Sequence, residues 1–261
     1  MRSILVHADH DRANEVRLQT ALELARRHRA HISLLIATPF QQFVAVDPFG
    51  GSYFVGEAMD KALADDAALE AALSARLRSE DVPWDVALAD GEVVGSLAAA
   101  ATFADLTIVS LPGNGQIRSD PAMLPGDLAL ATPAPGLALP RDKTRFDFEA
   151  PAIIAWNGSP EAARALRAAI PLLGGRRVEL VMIGADDDGS LPATDALAYL
   201  SRHDIHAEAR IVARDGVTVE EALERTALDM GAGLIVMGAF GKSRLRETLF
   251  GGATRYLITS G

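Results

Sequence analysis

The chain has 261 residues, enough for two domains of roughly 130 residues each, and its content of 49% hydrophobic and 23% charged residues excludes global disorder. It contains no cysteine, which excludes disulfides, zinc ribbons, iron–sulfur clusters and thiol nucleophiles. Its net charge of −10 argues against a nucleic-acid partner, because phosphate contacts need concentrated lysine and arginine.

The hydrophobic pattern predicts neither a membrane span nor a secretory leader. No run of about eighteen apolar residues is free of charge. The opening sequence, MRSILVHADHDR, has polar and charged residues where a signal peptide needs an apolar block. We therefore expect a soluble, cytoplasmic protein with no membrane partner.

In the first half of the chain, short apolar runs alternate with longer amphipathic runs, which predicts βαβ units and a mostly parallel sheet. The first helix shows the pattern, since Leu18, Leu22 and Ala25 form one stripe at helical spacing. In chain order, we predict a strand at 4–8, a helix at 13–29, a strand at 31–37, a loop at 38–56, a helix at 57–79, a strand at 84–89, a helix at 95–103, a strand at 105–110, one or two helical turns at 126–131 and a strand at 136–139.

The pattern restarts after residues 141–150, a charged segment without a periodic apolar face that we interpret as a linker. In chain order, we then predict a strand at 151–156, a helix at about 160–170 closed by Pro171 and Gly174-Gly175, a strand at 177–184, a helix at 193–203, a strand at 207–213, a helix at 219–230 and a strand at 234–237.

The two halves share the element order βαβαβαβα, which indicates an internal duplication with domains at 1–140 and 151–261. We predict an α/β fold of two tandem open parallel-sheet, Rossmann-like domains. Each is expected to have a five-stranded or slightly truncated sheet with helices on both faces. The two copies are expected to pack as an intramolecular pseudo-dimer, and a homodimer of the whole chain is a further alternative.

A glycine-rich segment follows the last predicted strand, at the sheet edge where open α/β folds bind ligands. Gly238 and Gly241 allow the backbone to turn tightly and to approach an anion. Gly251 and Gly252 precede a helix-like run at 253–258, whose amino end would offer free N–H groups to phosphate. Two sets of donors could therefore bind one phosphate chain.

The spacing G-x2-G-x9-G followed by a small residue resembles the nucleotide loop of ATP-binding universal stress proteins. Gly238, Gly241 and Gly251 meet this pattern, and Gly252 stands where that family has Ser or Thr. The element order of both halves is similar too, so the resemblance covers essentially the whole chain. It implies an adenine-nucleotide α-hydrolase-like fold with ATP or ADP, with or without Mg²⁺, in the second domain.

The resemblance also assigns residues position by position. Ala155, Trp156 and Asn157 match the segment against adenine, with Asn157 in place of the family's aspartate. An amide can both donate and accept, so recognition of adenine is expected to survive. Ile183 matches an apolar contact to the base, and Met237 matches a residue beside the ribose. The expected nucleotide-binding residues are Ala155, Trp156, Asn157, Ile183, Met237, Gly238, Gly241, Lys242, Gly251, Gly252, Ala253 and Thr254.

The first half departs further from the family pattern. Its Asp9 matches the aspartate that binds the base, but Ser110 stands opposite the first glycine of the motif and Gly113 opposite the second. The next candidate, Gly126, comes late and is followed by Asp127, whose charge would repel a phosphate. We therefore predict no triphosphate there. The family also adds a strand after the last helix, so either the second sheet is short at one edge or its last strand lies beyond residue 261.

Several of these features also have purely structural interpretations. The glycine segment could be a turn before a packed helix, and Asn157 could begin a turn that leads to Ser159 as helix N-cap. Trp156 could pack in the core instead of touching a base. Lys242 and its neighbouring arginines could neutralise phosphates or form a solvated helix face. Affinity is expected to be weakened but not abolished by Asn157 and Gly252.

No metal site and no catalytic residue is predicted. His7 and His10 lie near acidic residues, but strand residues three apart point to opposite faces. The leading functional hypothesis, implied by the resemblance, is a stress-response module that senses or stores ATP or ADP and acts through protein partners. A slow ATPase or phosphotransferase using the same loop is an alternative, although no general base or arginine finger is identified. A scaffold that has lost nucleotide binding is the third hypothesis.

Overall fold

A computed structural model of the chain describes residues 1–38, 44–46, 52–54, 56–111, 124–184 and 191–239. The chain forms two compact units, Met1–Arg145 (unit 1) and Phe146–Gly261 (unit 2). In both units the strands of the main sheet are parallel and are interleaved with helices, so the predicted fold class is confirmed. No helix in these described ranges is long and apolar enough to cross a membrane.

Unit 1 contains a parallel sheet and a separate small hairpin. Its elements are β1 (Ser3–Ala8), α1 (Asn14–His28), β2 (His31–Thr38), β3 (Val44–Val46), β4 (Ser52–Phe54), α2 (Gly56–Leu77), β5 (Trp84–Asp90), α3 (Val93–Ala100), a 3₁₀ turn (Ala101–Phe103), β6 (Leu106–Ser110), α4 (Leu124–Ala131) and β7 (Gly136–Leu139). The parallel sheet has the order β5-β2-β1-β6-β7, and β3 and β4 pair antiparallel. The strand order reverses between β1 and β6, the place where open α/β sheets form a ligand crevice.

Helices on both faces explain why the central strands β1 and β6 of unit 1 are buried along nearly their whole length. On the face covered by α3 and α4, the strand residues Leu5, Leu35 and Val109 form one cluster with Leu97 and Leu128 of the helices. All five side chains are buried. The register of β1 and β6, in which Val6 lies opposite Ile108, brings Asp9 and Ser110 to the same edge of the sheet.

Unit 2 repeats four of these strands in the same spatial order. Its elements are β8 (Ala152–Ala155), α5 (Pro160–Leu173), β9 (Val178–Ile183), α6 (Ala193–Ser201), β10 (Ala207–Val212), α7 (Val219–Met230) and β11 (Leu234–Val236). The order β10-β9-β8-β11 matches β5-β2-β1-β6 of unit 1, so its strand reversal lies between β8 and β11. Ile153, Val181 and Leu223 form the core cluster under α7.

Most predicted bounds agree with the structure to within about two residues, and two elements differ more. Pro171 does not close the fifth helix, since α5 continues to Leu173, and its C-cap is Gly174, one of the two glycines predicted to close it. A proline removes one hydrogen-bond donor, and here the last turn is held by the burial of Leu172 and Leu173. Arg176 Nε also donates to the carbonyl of Leu172, at 2.9 Å. The predicted loop at 38–56 contains the hairpin of β3 and β4, whose three-residue strands are too short to produce a visible alternation.

The amino end of unit 2 is anchored by one buried arginine. The guanidinium of Arg176 donates to the carbonyl of Asp147 at 2.7 Å and to the carbonyl of Ala150, and it lies 5.1 Å from the ring centroid of Phe146. A Cβ at Gly233 would lie 2.7 Å from the Cβ of Ala150, so the segment packs closely on the start of β11. We call these contacts the Arg176 clasp. The second half of the predicted linker therefore packs on unit 2.

Candidate functional site

The carboxyl edge of the sheet in unit 2 carries half of the predicted nucleotide-binding residues. They follow three adjacent strands, so the structure brings them to one edge at the strand reversal. These residues are Ala155, Trp156 and Asn157 at the end of β8, Ile183 at the end of β9, and Met237 and Gly238 after β11. The other predicted residues, Gly241, Lys242, Gly251, Gly252, Ala253 and Thr254, lie outside the described residues.

Asn157 begins the turn that leads from β8 into α5. Its Oδ1 accepts a hydrogen bond from the N–H of Ser159 at 3.2 Å, and Gly158 has a φ of 68° in the left-handed region. The hydroxyl of Ser159 in turn caps α5, accepting from the N–H of Ala162 at 3.1 Å, and Pro160 starts the helix. Asn157 itself is exposed. One lone pair of its oxygen is used in the turn, which leaves the amide NH₂ and the second lone pair for a ligand.

Gly238 has a structural role within unit 2. A Cβ at this position would lie 2.7 Å from the carbonyl carbon of Glu161 and 2.8 Å from the main-chain nitrogen of Ala162. Both are main-chain atoms of the first turn of α5, so they cannot move aside as a flexible side chain could. Close packing of helix on strand therefore requires glycine here, whether or not a ligand is present.

The apolar residues of the edge are held by the core. Ala155 and Ile183 pack against the cluster of Ile153 and Val181 under α7. Trp156 is 5% exposed, which agrees with the interpretation of this side chain as a core residue. Met237 is half-buried directly after β11. The described apolar residues of this edge therefore belong to the core of unit 2 or lie next to it.

The corresponding edge of unit 1 is filled by an internal cation. Arg17 of α1 is fully buried, and its guanidinium donates to the carboxylate of Asp9, to the hydroxyl of Ser110 and, at 3.4 Å, to the amide oxygen of Asn14. Asp9 follows β1 and Ser110 ends β6, so the guanidinium bridges the strand reversal. We call Asp9, Arg17 and Ser110 the Arg17 bridge.

The Arg17 bridge controls the ionisation of its surroundings. Burial raises the pKa of Asp9, but the positive charge and hydrogen bond of Arg17 outweigh burial and leave that pKa below its ordinary value. His7 Nδ1 lies 3.7 Å from Asp9 Oδ2. Burial lowers the pKa of His7 to about 4, against partial opposition from Asp9 and with support from the charges of Arg17 and Arg141. His7 is therefore neutral and Asp9 ionised at neutral pH.

Other polar side chains at the edge of unit 1 also bind one another. Asp66, a buried residue of α2, accepts a hydrogen bond from the hydroxyl of Thr38 and lies 3.0 Å from Nε2 of His10. Asp11 pairs with Arg141 at 3.1 Å. Among the described residues, no group of three or more His, Asp or Glu side chains is arranged to hold a metal ion.

Arg17 is the residue that the sequence-based interpretation missed. Asp9 and Ser110 were singled out for their positions, but the side chain that joins them was not. A signal was present, since Arg17 lies on the buried stripe of α1 with Ala21 and Leu24, at positions i, i+4 and i+7. A charged residue on an apolar helix face needs a buried partner, and Asp9 is the acid at the adjacent strand end.

Known structures resemble the fold of this chain along nearly its whole length. A universal stress protein from Archaeoglobus fulgidus DSM 4304 aligns with a TM-score of 0.76 and 13% identity, over 98% of this chain and 94% of that protein. A candidate universal stress protein from Pseudomonas aeruginosa UCBPP-PA14 aligns with a TM-score of 0.60 and 17% identity, over 99% and 90% of the two chains. No family model matches the sequence, and no curated protein matches it significantly. The likeness is one of fold.

Proposed function

We propose that this chain, which has the universal stress protein fold, is a stress-response protein of that family that binds ATP or ADP in unit 2. In this proposal the phosphates, with or without Mg²⁺, meet the main-chain N–H groups of the segment from Gly238 to Thr254. The base meets the end of β8 and Ile183. The chain then acts as a sensor or binding module through protein partners.

The contrast between the two edges carries this proposal. In unit 1, Arg17 is the fourth residue of α1 and occupies the strand reversal with its guanidinium. The fourth residue of α5 is Ala163, which has no charge to place there. Asn157 stands where unit 1 has Asp9, and it is neutral. Gly238 stands where unit 1 has Ser110, and it has no side chain. In its described residues, unit 2 thus has an edge of the same topology without a cation from its first helix.

The experiment that tests this proposal measures nucleotide binding by the full chain. Freshly purified protein is extracted and analysed for bound nucleotide, and calorimetry is run with Mg-ATP and Mg-ADP. Gly241→Val is expected to weaken ATP binding by roughly ten- to a hundredfold, since a branched side chain removes one or two charge-assisted hydrogen bonds to phosphate. Gly252→Ser is the matched control, because it keeps the main-chain donor and restores the hydroxyl of the family pattern.

The outcomes separate the hypotheses. Equal ATP affinity in the wild type and a folded Gly241→Val variant would remove the glycine segment from the phosphate site. If the wild type gives neither binding heat nor extractable nucleotide, the chain is a scaffold. Release of phosphate from bound ATP at a rate abolished by Gly241→Val would instead favour the ATPase alternative.

A further inference from the structure

The edge strand of unit 2, β10, is free along its outer side. It pairs with β9 on one side, and no strand of the described residues pairs with the other. Most of β10 is exposed, and Ile211 is 69% exposed. The helix that contacts β10 is α6, which has nine residues, whereas the equivalent strand β5 of unit 1 is contacted by the 22 residues of α2. A bare strand edge of this kind can pair with another chain.

The main-chain groups at the free edge of β10 belong to alternate residues. The carbonyl of Val212 accepts a hydrogen bond from the N–H of Gly184 at 2.8 Å, so the main chain of Val212 is turned toward β9. Successive residues of a strand turn their N–H and C=O groups to opposite sides. Ala207, Ala209 and Ile211 therefore present their donors and acceptors at the free edge. An incoming strand would form its hydrogen bonds with these three residues.

The side chains of β10 form one charged face and one apolar face. Val212 packs against the core cluster under α7. Because side chains alternate along a strand, Glu208 and Arg210 lie on the same face as Val212. The three residues whose main-chain groups point outward lie on the opposite face, which is apolar. The strand therefore offers opposite charges on one face and apolar side chains on the other.

Glu208 is an exposed carboxylate that lies next to a like charge. In the register of β10 and β9 it lies opposite Glu179, an arrangement that destabilises a sheet. Both oxygens of Glu179 already have partners, since Arg177 donates to one at 2.6 Å and Arg210 to the other at 3.4 Å. Among the described residues, the side chain of Glu208 has no ion pair or hydrogen bond. A cation from outside the unit would offset the repulsion.

Two copies of β10 are complementary in a two-fold antiparallel register centred on Ala209. Glu208 then lies opposite the partner's Arg210, and the two-fold axis repeats this pair. Such pairs lie between the hydrogen-bonded positions, where side chains approach most closely. Ala207 lies opposite the partner's Ile211. Registers centred on Glu208 or Arg210 would instead place like charges directly opposite each other.

The apolar face of β10 also has a place for the partner's Ile211. A recess of about 780 Å³ opens beside Ala207, and its apolar lining includes Leu197, Ala198 and Ile205. In the register centred on Ala207's neighbour two positions on, the partner's Ile211 lies at the rim of this recess. Pairing would therefore bury an apolar side chain that is exposed in the single chain.

The equivalent strand of unit 1 lacks this complementarity. The registers of the two sheets place Asp85 of β5 where β10 has Glu208, and Ala87 where it has Arg210. Two copies of β5 would therefore bring together carboxylates without a cation. Asp85 is also satisfied within unit 1, since one of its oxygens lies 2.5 Å from Nε2 of His31.

We propose that β10 is an interface with a second copy of this chain, in which the sheets of two second units join edge to edge in the register centred on Ala209. The inference is independent of nucleotide binding. Two six-residue strands bury less area than the roughly 1,600 Å² of a standard stable interface, so the dissociation constant is expected in the micromolar range.

The test follows self-association of the full chain by sedimentation velocity over a concentration series. Arg210→Glu places like charges at both cross-strand pairs and is expected to raise the dissociation constant at least about tenfold. Glu208→Arg should do the same with the opposite sign of charge. Arg225→Glu is the charge-matched control, because Arg225 is an exposed residue of α7, and it should change the constant by less than about threefold.

Mixing the two charge variants gives the most specific readout. When Arg210→Glu meets Glu208→Arg, both cross-strand pairs again join opposite charges. The equimolar mixture should therefore associate to within about threefold of the wild type, although each variant alone does not. The variant that carries both substitutions should recover self-association too. It keeps an arginine beside Glu179, since position 208 lies opposite Glu179.

Ala209→Pro tests the pairing without a change of charge. The N–H of Ala209 points away from β9, so proline removes a central donor of the interface without removing a hydrogen bond of the sheet of unit 2. It is expected to weaken association at least about tenfold, with an unchanged far-UV circular dichroism spectrum. If the wild type has no association step that Ala209→Pro removes, or if the mixed charge variants fail to associate, β10 is not this interface.

Discussion

In unit 1 the guanidinium of Arg17 lies between Asp9 and Ser110, whereas in unit 2 the equivalent positions are Asn157 and Gly238, with no cation from α5 between them. The equivalence follows from the sheets, because β1 pairs with β6 as β8 pairs with β11. The same topology therefore has two different edges: in unit 1 a guanidinium fills the strand reversal, and in the described residues of unit 2 no cation from α5 takes the equivalent place.

This difference shows how two copies of one fold can depend differently on a ligand for their stability. A buried ion pair costs desolvation, but once formed it gives the carboxylate of Asp9 and the hydroxyl of Ser110 a partner without any ligand. Where a ligand instead of a side chain occupies such an edge, binding stabilises the folded unit, and the stabilisation increases with ligand concentration. We expect unit 1 to have a constant stability and unit 2 a stability that rises with nucleotide concentration.

The largest expected effect comes from breaking the Arg17 bridge. Arg17→Met leaves Asp9 and Ser110 without their partner, and loss of one member of a buried pair costs about 3–5 kcal/mol of unfolding free energy. Urea unfolding followed by Trp84 fluorescence in a Trp156→Phe background reports on unit 1. The control is Arg27→Met on the same helix, whose half-exposed pair with Glu23 should contribute under about 1 kcal/mol. Equal losses in the two variants would contradict the buried role of Arg17.

The second expected effect is a selective loss of stability in unit 1 on acidification. The pKa of His7 is lowered from 6.5 to about 4, so the unfolded chain binds more protons than the folded one between these values. Stability is thus complete above about pH 6.5 and falls by about 3 kcal/mol as the pH drops to about 4. The lowered pKa of Asp9 extends the loss to still lower pH.

Measurement of this loss uses the tryptophan of each unit. Urea midpoints at pH 7 and pH 4.5 are compared for Trp84 and Trp156, and the Trp84 signal is expected to lose more. His7→Gln should remove most of the difference, since a glutamine does not titrate. An undiminished acid sensitivity in His7→Gln would assign the effect to other groups. Unit 2 has Ala155 at the position equivalent to His7, so it has no titrating side chain there.

The third effect concerns the close approach at Gly238. Gly238→Ala is expected to destabilise unit 2 by about 1–3 kcal/mol, because main-chain atoms of α5 must move to accept a Cβ. The Trp156 unfolding transition measures it. Gly174→Ala is the control within the same unit, since no atom lies within 4 Å of the Cβ it would add. If both substitutions were neutral, the packing of α5 on β11 would be looser than the structure gives.

The smallest effect is expected for Asn157→Asp, which gives unit 2 the acid that unit 1 has. The aspartate can accept the same hydrogen bond from Ser159, and the nearby amino end of α5 favours its charge. Because Asn157 is exposed, the unfolding free energy should change by less than about 0.5 kcal/mol. A thermal melt of the Trp156 signal at pH 7 checks this. A loss of more than about 1 kcal/mol of unfolding free energy would mean that nearby negative charge repels the new carboxylate.

The sequence allowed the fold to be predicted more fully than the site. Element order and parallel pairing could be predicted because hydrophobic periodicity is a local property of each segment, as in α7, whose bounds 219–230 were predicted correctly. The Arg17 bridge could not, since it joins Arg17 to Ser110 across 93 residues of sequence. The contact of Gly238 with Glu161 is equally non-local. From the sequence, Gly238 could therefore be assigned only to phosphate binding and not to the packing of α5.

The Arg176 clasp determines where the protein can be cut into separately folding pieces. A fragment of unit 2 that begins at Pro151 would lack Phe146, the carbonyl of Asp147 and that of Ala150, so the buried guanidinium would lose most of its acceptors at once. A fragment that begins at Phe146 retains all of them. The second half should therefore fold alone only when residues 146–150, which precede its first strand, are included in the expressed fragment.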